Sequence, residues 1–498
     1  MELQFNKSVY PTLRRAVSQL QAQEQTQEVR LSDAMPDIGR VLGCWGQVLI
    51  RSKEWRSGGM SVSGGVMAWA LYAPEDGSEP KSIDTWIPFQ MKWDFPDTQR
   101  DGMIWVMPRI KSMDCRSVSA RKLMIRAGIS VMGQALEPID VEVFSPDTIP
   151  EDIQLLRNTY PMELPQEAGE KHFQIEEEVN LLAGAAQPSK VIRYEIQPEV
   201  NEQKVMAGKL VFHGMCRMHL LYASEDGMLH TADVQIPFSQ FADLDREYGP
   251  NAAGWIVVIP TGMELEKTED GKLMLKCSLA AQYVIYDRMM IDVVEDAYSP
   301  RRNVNVKNSS LRLPVRLDSM SAEMEYRHNL RAEGQNAVDV SIYWDNPVVR
   351  QSGESAEAEL SGQYQMLYLD DSGSLQGATG RGEEKWMLPS DRENTVRIAI
   401  MSDVPTAVFH SDGADISGTI NLDASVMTEQ ALPMVTALEF GEMEEPDPGR
   451  PSLILRKTGE GRLWDLAKEC GSTVDAICKA NDLQQEPEND RILLIPVS

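Results

Sequence analysis

Six histidines and six cysteines are the residues here whose chemistry could hold a metal or attack a substrate. The histidines are His172, His213, His219, His230, His328 and His410, and no two cysteines stand in C-x-x-C spacing. His213, Cys216 and His219 form the tightest grouping, at a spacing that suggests a ligand set. They lie in a stretch of alternating apolar and polar residues, so 213 and 219 share one face and 216 the other. No metal site is expected from them. Cys470 and Cys478 fall on apolar faces of two short helical patterns, which suits core thiols. No G-x-S-x-G, H-E-x-x-H, Walker loop or dinucleotide fingerprint occurs. Gly58-Gly59 and Gly64-Gly65 flank strands, where close backbone packing accounts for them, and Glu444-Glu445 sits in an acidic connection. Catalysis needs a nucleophile, a base and a stabiliser converging on one point. The sequence offers no such centre, and a non-enzyme without cofactor or metal is expected.

Aromatic residues are the next candidates. Tyr72, Trp86, Trp93 and Trp105 could form a flat platform for a sugar or a peptide. They fall on alternating strands, so core packing is the expected role. The 27 methionines suit adaptable packing or protein interfaces, but no cluster of them marks a site.

The elements behind these residues repeat. Leu210, Phe212, Gly214, Cys216, Met218, Leu220 and Tyr222 share one parity, the signature of a half-buried strand. Glu225-Asp226-Gly227 then signals a turn, and a second strand closes at Ile236-Pro237-Phe238. The same unit precedes it around Tyr72, Glu75-Asp76-Gly77 and Ile87-Pro88-Phe89. It follows again around Tyr368, Asp370-Asp371-Ser372-Gly373 and Met387-Leu388-Pro389. Tyr72 and Tyr222 are 150 residues apart, and Tyr222 and Tyr368 are 146 apart. Lys122-Leu123-Met124 and Lys272-Leu273-Met274 keep the 150-residue period. A period this long means tandem domains, not solenoid turns.

Composition agrees. A chain of 498 residues should hold several domains, and 42% hydrophobic with 25% charged residues is ordinary globular composition. A net charge of −28 disfavours nucleic acid and anionic lipid as partners, since both would be repelled. There is no leader-like start and no run of about 20 apolar residues, so neither export nor membrane insertion is expected. A cytoplasmic location, with reduced thiols, is the expectation.

The expected fold class is mainly β. Residues 1–23 read as a lead-in with a short helical pattern at Thr12–Leu20, and 24–144 as the first copy. Residues 145–171 read as a Pro-rich acidic linker, 172–298 as the second copy and 299–320 as a polar linker. A diverged third copy spans 321–440, and 441–450 is an acidic linker. The tail, 451–498, reads as a small β-α-α-β unit with Thr473 at a helix N-cap and Asp475 in the first turn.

The tail resembles a LysM domain in Leu463-Trp464-Asp465-Leu466-Ala467, Gly471-Ser472-Thr473-Val474, Ile477 to Leu483 and Leu494-Ile495-Pro496. LysM domains commonly bind N-acetylglucosamine polymers between the loop before the first helix and the loop after the second. The resemblance assigns that groove to Gly461, Arg462, Leu463, Asn481, Asp482 and Leu483. The family's Gly-Asp-Thr reads Glu460-Gly461-Arg462 here, which alters one wall of the groove.

The repeated unit resembles the SPOCS domain of spore coat and cortex assembly proteins in clostridia and related spore formers. The carrying residues are Pro36-Asp37-Ile38, Leu71-Tyr72, Leu221-Tyr222 and the Ile-Pro-Phe at 87–89 and 236–238. A SPOCS array followed by one LysM is similar to the clostridial family of SpoIVA-interacting proteins. The resemblance implies three tandem SPOCS-type domains and a LysM domain that docks a SpoIVA-type coat ATPase or other spore coat proteins. It implies a place on the mother-cell side of the forespore and in the spore coat. The alternative it carries is a peptidoglycan-binding protein of cortex or wall.

Overall fold

The computed structural model describes residues 2–3, 5–96, 98–146, 148–269, 271–352, 355–389, 395–443, 449, 451–459, 461–484, 487 and 490–497. A two-residue strand, β1 (Glu2–Leu3), comes first. The first unit is β2 (Phe5–Arg30), β3 (Ile38–Arg56), β4 (Gly59–Pro74), β5 (Lys81–Asp94), β6 (Met103–Ser119) and β7 (Lys122–Pro146). The second is β8 (Gln154–Glu178), β9 (Lys190–Met206), β10 (Lys209–Ala223), β11 (Leu229–Asp243), β12 (Ala253–Lys267) and β13 (Leu273–Tyr298). The third is β14 (Val304–Leu330), β15 (Asn336–Trp344), β16 (Val348–Ser352), β17 (Ser355–Leu369), β18 (Leu375–Pro389), β19 (Thr395–Ser402), β20 (Thr406–His410) and β21 (Gly413–Phe440).

The chain is mainly β, and the three units share one topology. The orders β2-β7-β6, β8-β13-β12 and β14-β21 with β19 and β20 describe one sheet of each unit. The orders β3-β4-β5, β9-β10-β11 and β15 or β16 with β17-β18 describe the other. Each pair of sheets encloses its own apolar core. The expected parity holds: Leu210, Phe212, Cys216, Met218, Leu220 and Tyr222 are all buried in the second core. Gly77, Gly227 and Gly373 occupy the three expected turns at φ 74°, 79° and 78°, a region where a side chain would be strained. Tyr72, Trp93 and Trp105 are core residues, while Trp86 is half-buried with Arg51 5.1 Å above its ring.

Three expectations need correction. The lead-in is not helical, because Phe5–Arg30 is one continuous strand paired along β7. Its second half turns Gln21, Gln23, Gln25 and Gln27 toward the sandwich, so no apolar alternation betrays it. Much of the two expected linkers, 145–171 and 299–320, is likewise strand, in β8 and β14. Pro161, Pro165 and Pro314 fit there because β8 and β14 are edge strands, where a missing N–H breaks no ladder. Each copy therefore begins earlier than its hairpin pattern indicates, at Phe5, Gln154 and Val304, so that most of its first strand precedes the expected start. The first strand also carries a shared mark: its ladder skips one residue at Ala16, Gln166 and Leu317. The acidic linker lies partly outside the described residues.

The units do not hang as separate beads. The far ends of the long strands pack together, with Val141 and Val143 of the first unit, Leu164 and Ile291 of the second, and Leu313 and Leu432 of the third in one apolar cluster. A second cluster joins Trp45, Leu71, Ile192, Leu221 and Leu367 across all three. The third unit is the irregular one, with strands broken at Asp345-Asn346-Pro347 and Asp403-Val404-Pro405.

Candidate functional site

The tail folds as β22 (Leu453–Lys457), α1 (Leu463–Cys470), α2 (Val474–Ala480) and β23 (Ile492–Pro496), with β22 antiparallel to β23. Leu463, Trp464, Ala467 and Cys470 form the buried face of α1, and Ile477 anchors α2. Gly471 ends α1 in the left-handed conformation, and the Thr473 hydroxyl accepts the Ala476 N–H at 3.1 Å as the N-cap of α2.

This small unit is seated on the second sandwich. Tyr298, the last residue of β13, meets Trp464 edge to face at 4.8 Å and donates its hydroxyl to the Ser472 carbonyl at 2.9 Å. Trp464 Nε1 donates to Asp296 at 2.8 Å, and Lys468 Nζ reaches the same carboxylate at 2.7 Å. Arg462 lies 3.5 Å from Glu295, a carboxylate that also accepts from Asn158 and Tyr160. A core too small to stand easily alone thus borrows an aromatic wall from its neighbour.

The six groove residues separate into two groups. Gly461, Arg462 and Asp482 are exposed, and Asp482 holds a positive φ of 52°. Leu463 is buried, Leu483 packs against the same apolar cluster, and Asn481 is engaged with backbone. Its amide donates to the Ile477 and Leu494 carbonyls at 2.9 and 2.6 Å, and its oxygen accepts the Leu494 N–H at 2.8 Å. Of the six, only Gly461, Arg462 and Asp482 are thus left open along this edge.

A second candidate lies where the three units meet. A half-open cleft of about 520 Å³ is lined by Gln47 and Arg109 of the first unit, Arg217 and His219 of the second, and Tyr343 and Asp403 of the third, among others. Its wall holds a charge network. Arg193 lies 2.7 Å from Asp339 and 3.0 Å from Glu195, and His219 bridges Asp339 and Asp233 at 2.8 and 2.6 Å. Trp45 covers the guanidinium at 4.8 Å. Burial pulls the His219 pKa down, but hydrogen bonds to Asp233 and Asp339 outweigh it and raise it to about 9. Burial likewise pushes Asp339 up, but Arg193 and His219 prevail and hold it well below the carboxylate range. The network keeps both partners charged and ties the second unit to the third.

His219 gives this tie a pH signature. A pKa raised from 6.5 to about 9 on folding contributes stability that is complete below 6.5 and lost as pH rises through about 9. Thermal unfolding followed across that window should show a loss on the order of 3 kcal/mol, which His219→Gln flattens. An unchanged slope in that variant would remove the role from His219.

The sequence brings up His219 only within a metal grouping that its parity sets aside, and points to neither Arg193 nor Asp339. A signal existed. Gly43, Arg193 and Asp339 occupy the same position in the three copies, each paired to a leucine (Leu71, Leu221, Leu367). One position carrying Gly, Arg and Asp in turn suits a site where copies meet. The metal grouping separates as its parity requires: Cys216 is in the core, His213 is exposed and His219 lines the cleft.

The geometry defines a class: three like β sandwiches closed around shared cores, with a small αβ unit seated on the second. Among the described residues no helix is long and apolar enough to cross a membrane. A family profile described as the SipL SPOCS domain matches residues 187–253, which cover the sheet β9-β10-β11 of the second unit. Residues 187–253 thus carry a SPOCS domain, which suggests a sporulation-related protein. No curated protein and no solved structure matches it.

Proposed function

We propose that the chain is a non-catalytic spore morphogenesis protein, built from three SPOCS-type units and a LysM-type tail that docks a SpoIVA-type coat ATPase. The observation that carries this reading is the SPOCS match in the second unit, the unit on which the tail is seated. The tail's β-α-α-β order and its Asn481 corner support the LysM-type assignment. The sandwich array supplies further contacts to spore coat proteins, and the site of action is the mother-cell side of the forespore, then the coat. Because the units form one body, these contacts act as a rigid multivalent surface and not as beads on flexible linkers.

Arg462→Glu in the full chain should weaken binding of the purified ATPase about tenfold or more, read by isothermal titration. The exposed position leaves the fold intact. Tight binding of chitin oligomers or muropeptides, with the ATPase ignored, would replace this reading by peptidoglycan recognition.

A further inference from the structure

The cleft where the three units meet is walled by sheet edges. Among the described residues β3 and β6, β9 and β12, and β15 and β19 each pair on one side only, and a stretch of every one of them lines the cleft. Edge strands offer backbone N–H and C=O groups to a chain that comes alongside, and proteins close them with neighbours or with proline. Five of the six are occupied or broken in one of these ways at the cleft. On β3, Cys44 and Gly46 donate their N–H to Gln365 Oε1 at 3.2 Å and to the Tyr343 hydroxyl at 3.1 Å. On β19, the Ile400 carbonyl accepts Arg109 Nη2 at 2.6 Å. Pro108 of β6, Pro198 of β9 and Pro260 of β12 stand in the cleft wall, where each removes a donor.

β15 is the sixth. It has no proline, and its ladder fixes which groups it presents. Asp345 donates its N–H to the Ser361 carbonyl at 2.9 Å, so Ser341 and Tyr343, on the same parity, also direct their backbone groups to β17. The N–H and C=O of Val340, Ile342 and Trp344 therefore point away from β17, and the whole run from Val340 to Trp344 lines the cleft. Five residues make about 17 Å of strand. The cleft beside them holds about 520 Å³, with Ile256 and Val258 of the second unit adding apolar surface. Among the described residues that line it, carboxylates outnumber cationic side chains five to three.

We propose that this cleft receives an extended peptide segment of another protein, which adds as a strand along β15. Main-chain bonds to Val340, Ile342 and Trp344 give the affinity, and the wall selects a segment that alternates apolar residues around a basic one. A second copy of the chain suits the cleft poorly, since it would bring a net charge of −28 to a chain of the same charge. The site is separate from the docking edge of the tail and does not depend on the function proposed above.

Panning a displayed library of random heptapeptides against the full chain should enrich one family of that pattern, and the synthetic peptide should then bind with saturable heat. Methylating its backbone nitrogens on one parity should weaken binding about tenfold or more, and on the other parity should change it little, because an added strand bonds the edge through alternate residues. Gln235→Trp, at an exposed position of the cleft wall, should weaken binding about tenfold or more in a chain whose circular dichroism is unchanged. No enriched family, an equal response to methylation on both parities, or unchanged affinity in Gln235→Trp would overturn the site. So would a dimer, seen by sedimentation, that Gln235→Trp dissolves, since a second copy would then be the occupant.

Discussion

Replacing Asp339 by alanine should destabilise the whole chain by about 3–5 kcal/mol, the cost of leaving a buried charge without its partner. Asp339 is 4% exposed, and the Arg193 side chain opposite it is fully buried. After the change Arg193 keeps only Glu195, at 3.0 Å, and His219 loses one of its two acceptors. Because the second and third units share this contact and the apolar clusters around it, urea unfolding should remain one transition and shift as a whole. Hydrogen exchange should rise in β9 and β15 together. Arg193→Met added to Asp339→Ala should recover much of the loss, since a well-packed apolar pair removes the orphan charge. Separate melting of the third unit, with the second unaffected, would show that the network does not couple them.

The second large effect concerns the tail. Tyr298→Ala removes an aromatic wall that is 5% exposed, at a cost of about 3–5 kcal/mol to the docked state. A unit of about 48 residues has little stability of its own to absorb that loss. The tail should therefore loosen: hydrogen exchange across α1 should accelerate, and limited proteolysis should cut near residues 449–459 while the three sandwiches stay protected. Tyr298→Phe keeps the edge-to-face contact with Trp464 and loses only the bond to the Ser472 carbonyl, so about 1 kcal/mol is expected. Unchanged protection of α1 in Tyr298→Ala would mean that Asp296, with Trp464 and Lys468, suffices to seat the tail.

Much of the local structure was legible in the residues. Alternation from Leu210 to Tyr222 identified a strand because a sheet buries every second side chain on one face. Turn glycines at 77, 227 and 373 were readable because each needs a backbone angle that other residues resist. The helices of the tail were readable from Leu463, Trp464, Ala467 and Ile477, and from Thr473 as a cap. The first strand of each copy was not. Glutamines face inward along β2, and prolines interrupt β8 and β14, so pairing with β7, β13 and β21 alone makes them strands.

The sequence by itself determined a copied sheet-forming unit, its hairpins, its turns and a small αβ tail, because each is written in neighbours a few residues apart. Only the tertiary structure decided that the copies close on one another, that Arg193 meets Asp339, and that Tyr298 carries the tail. Those contacts join residues 146 and more positions apart, on faces that alternate in every copy whether or not anything covers them. Local periodicity reports that a face is apolar or charged. It cannot report which distant face lies against it, and at these junctions that pairing sets both the stability and the surface left for partners.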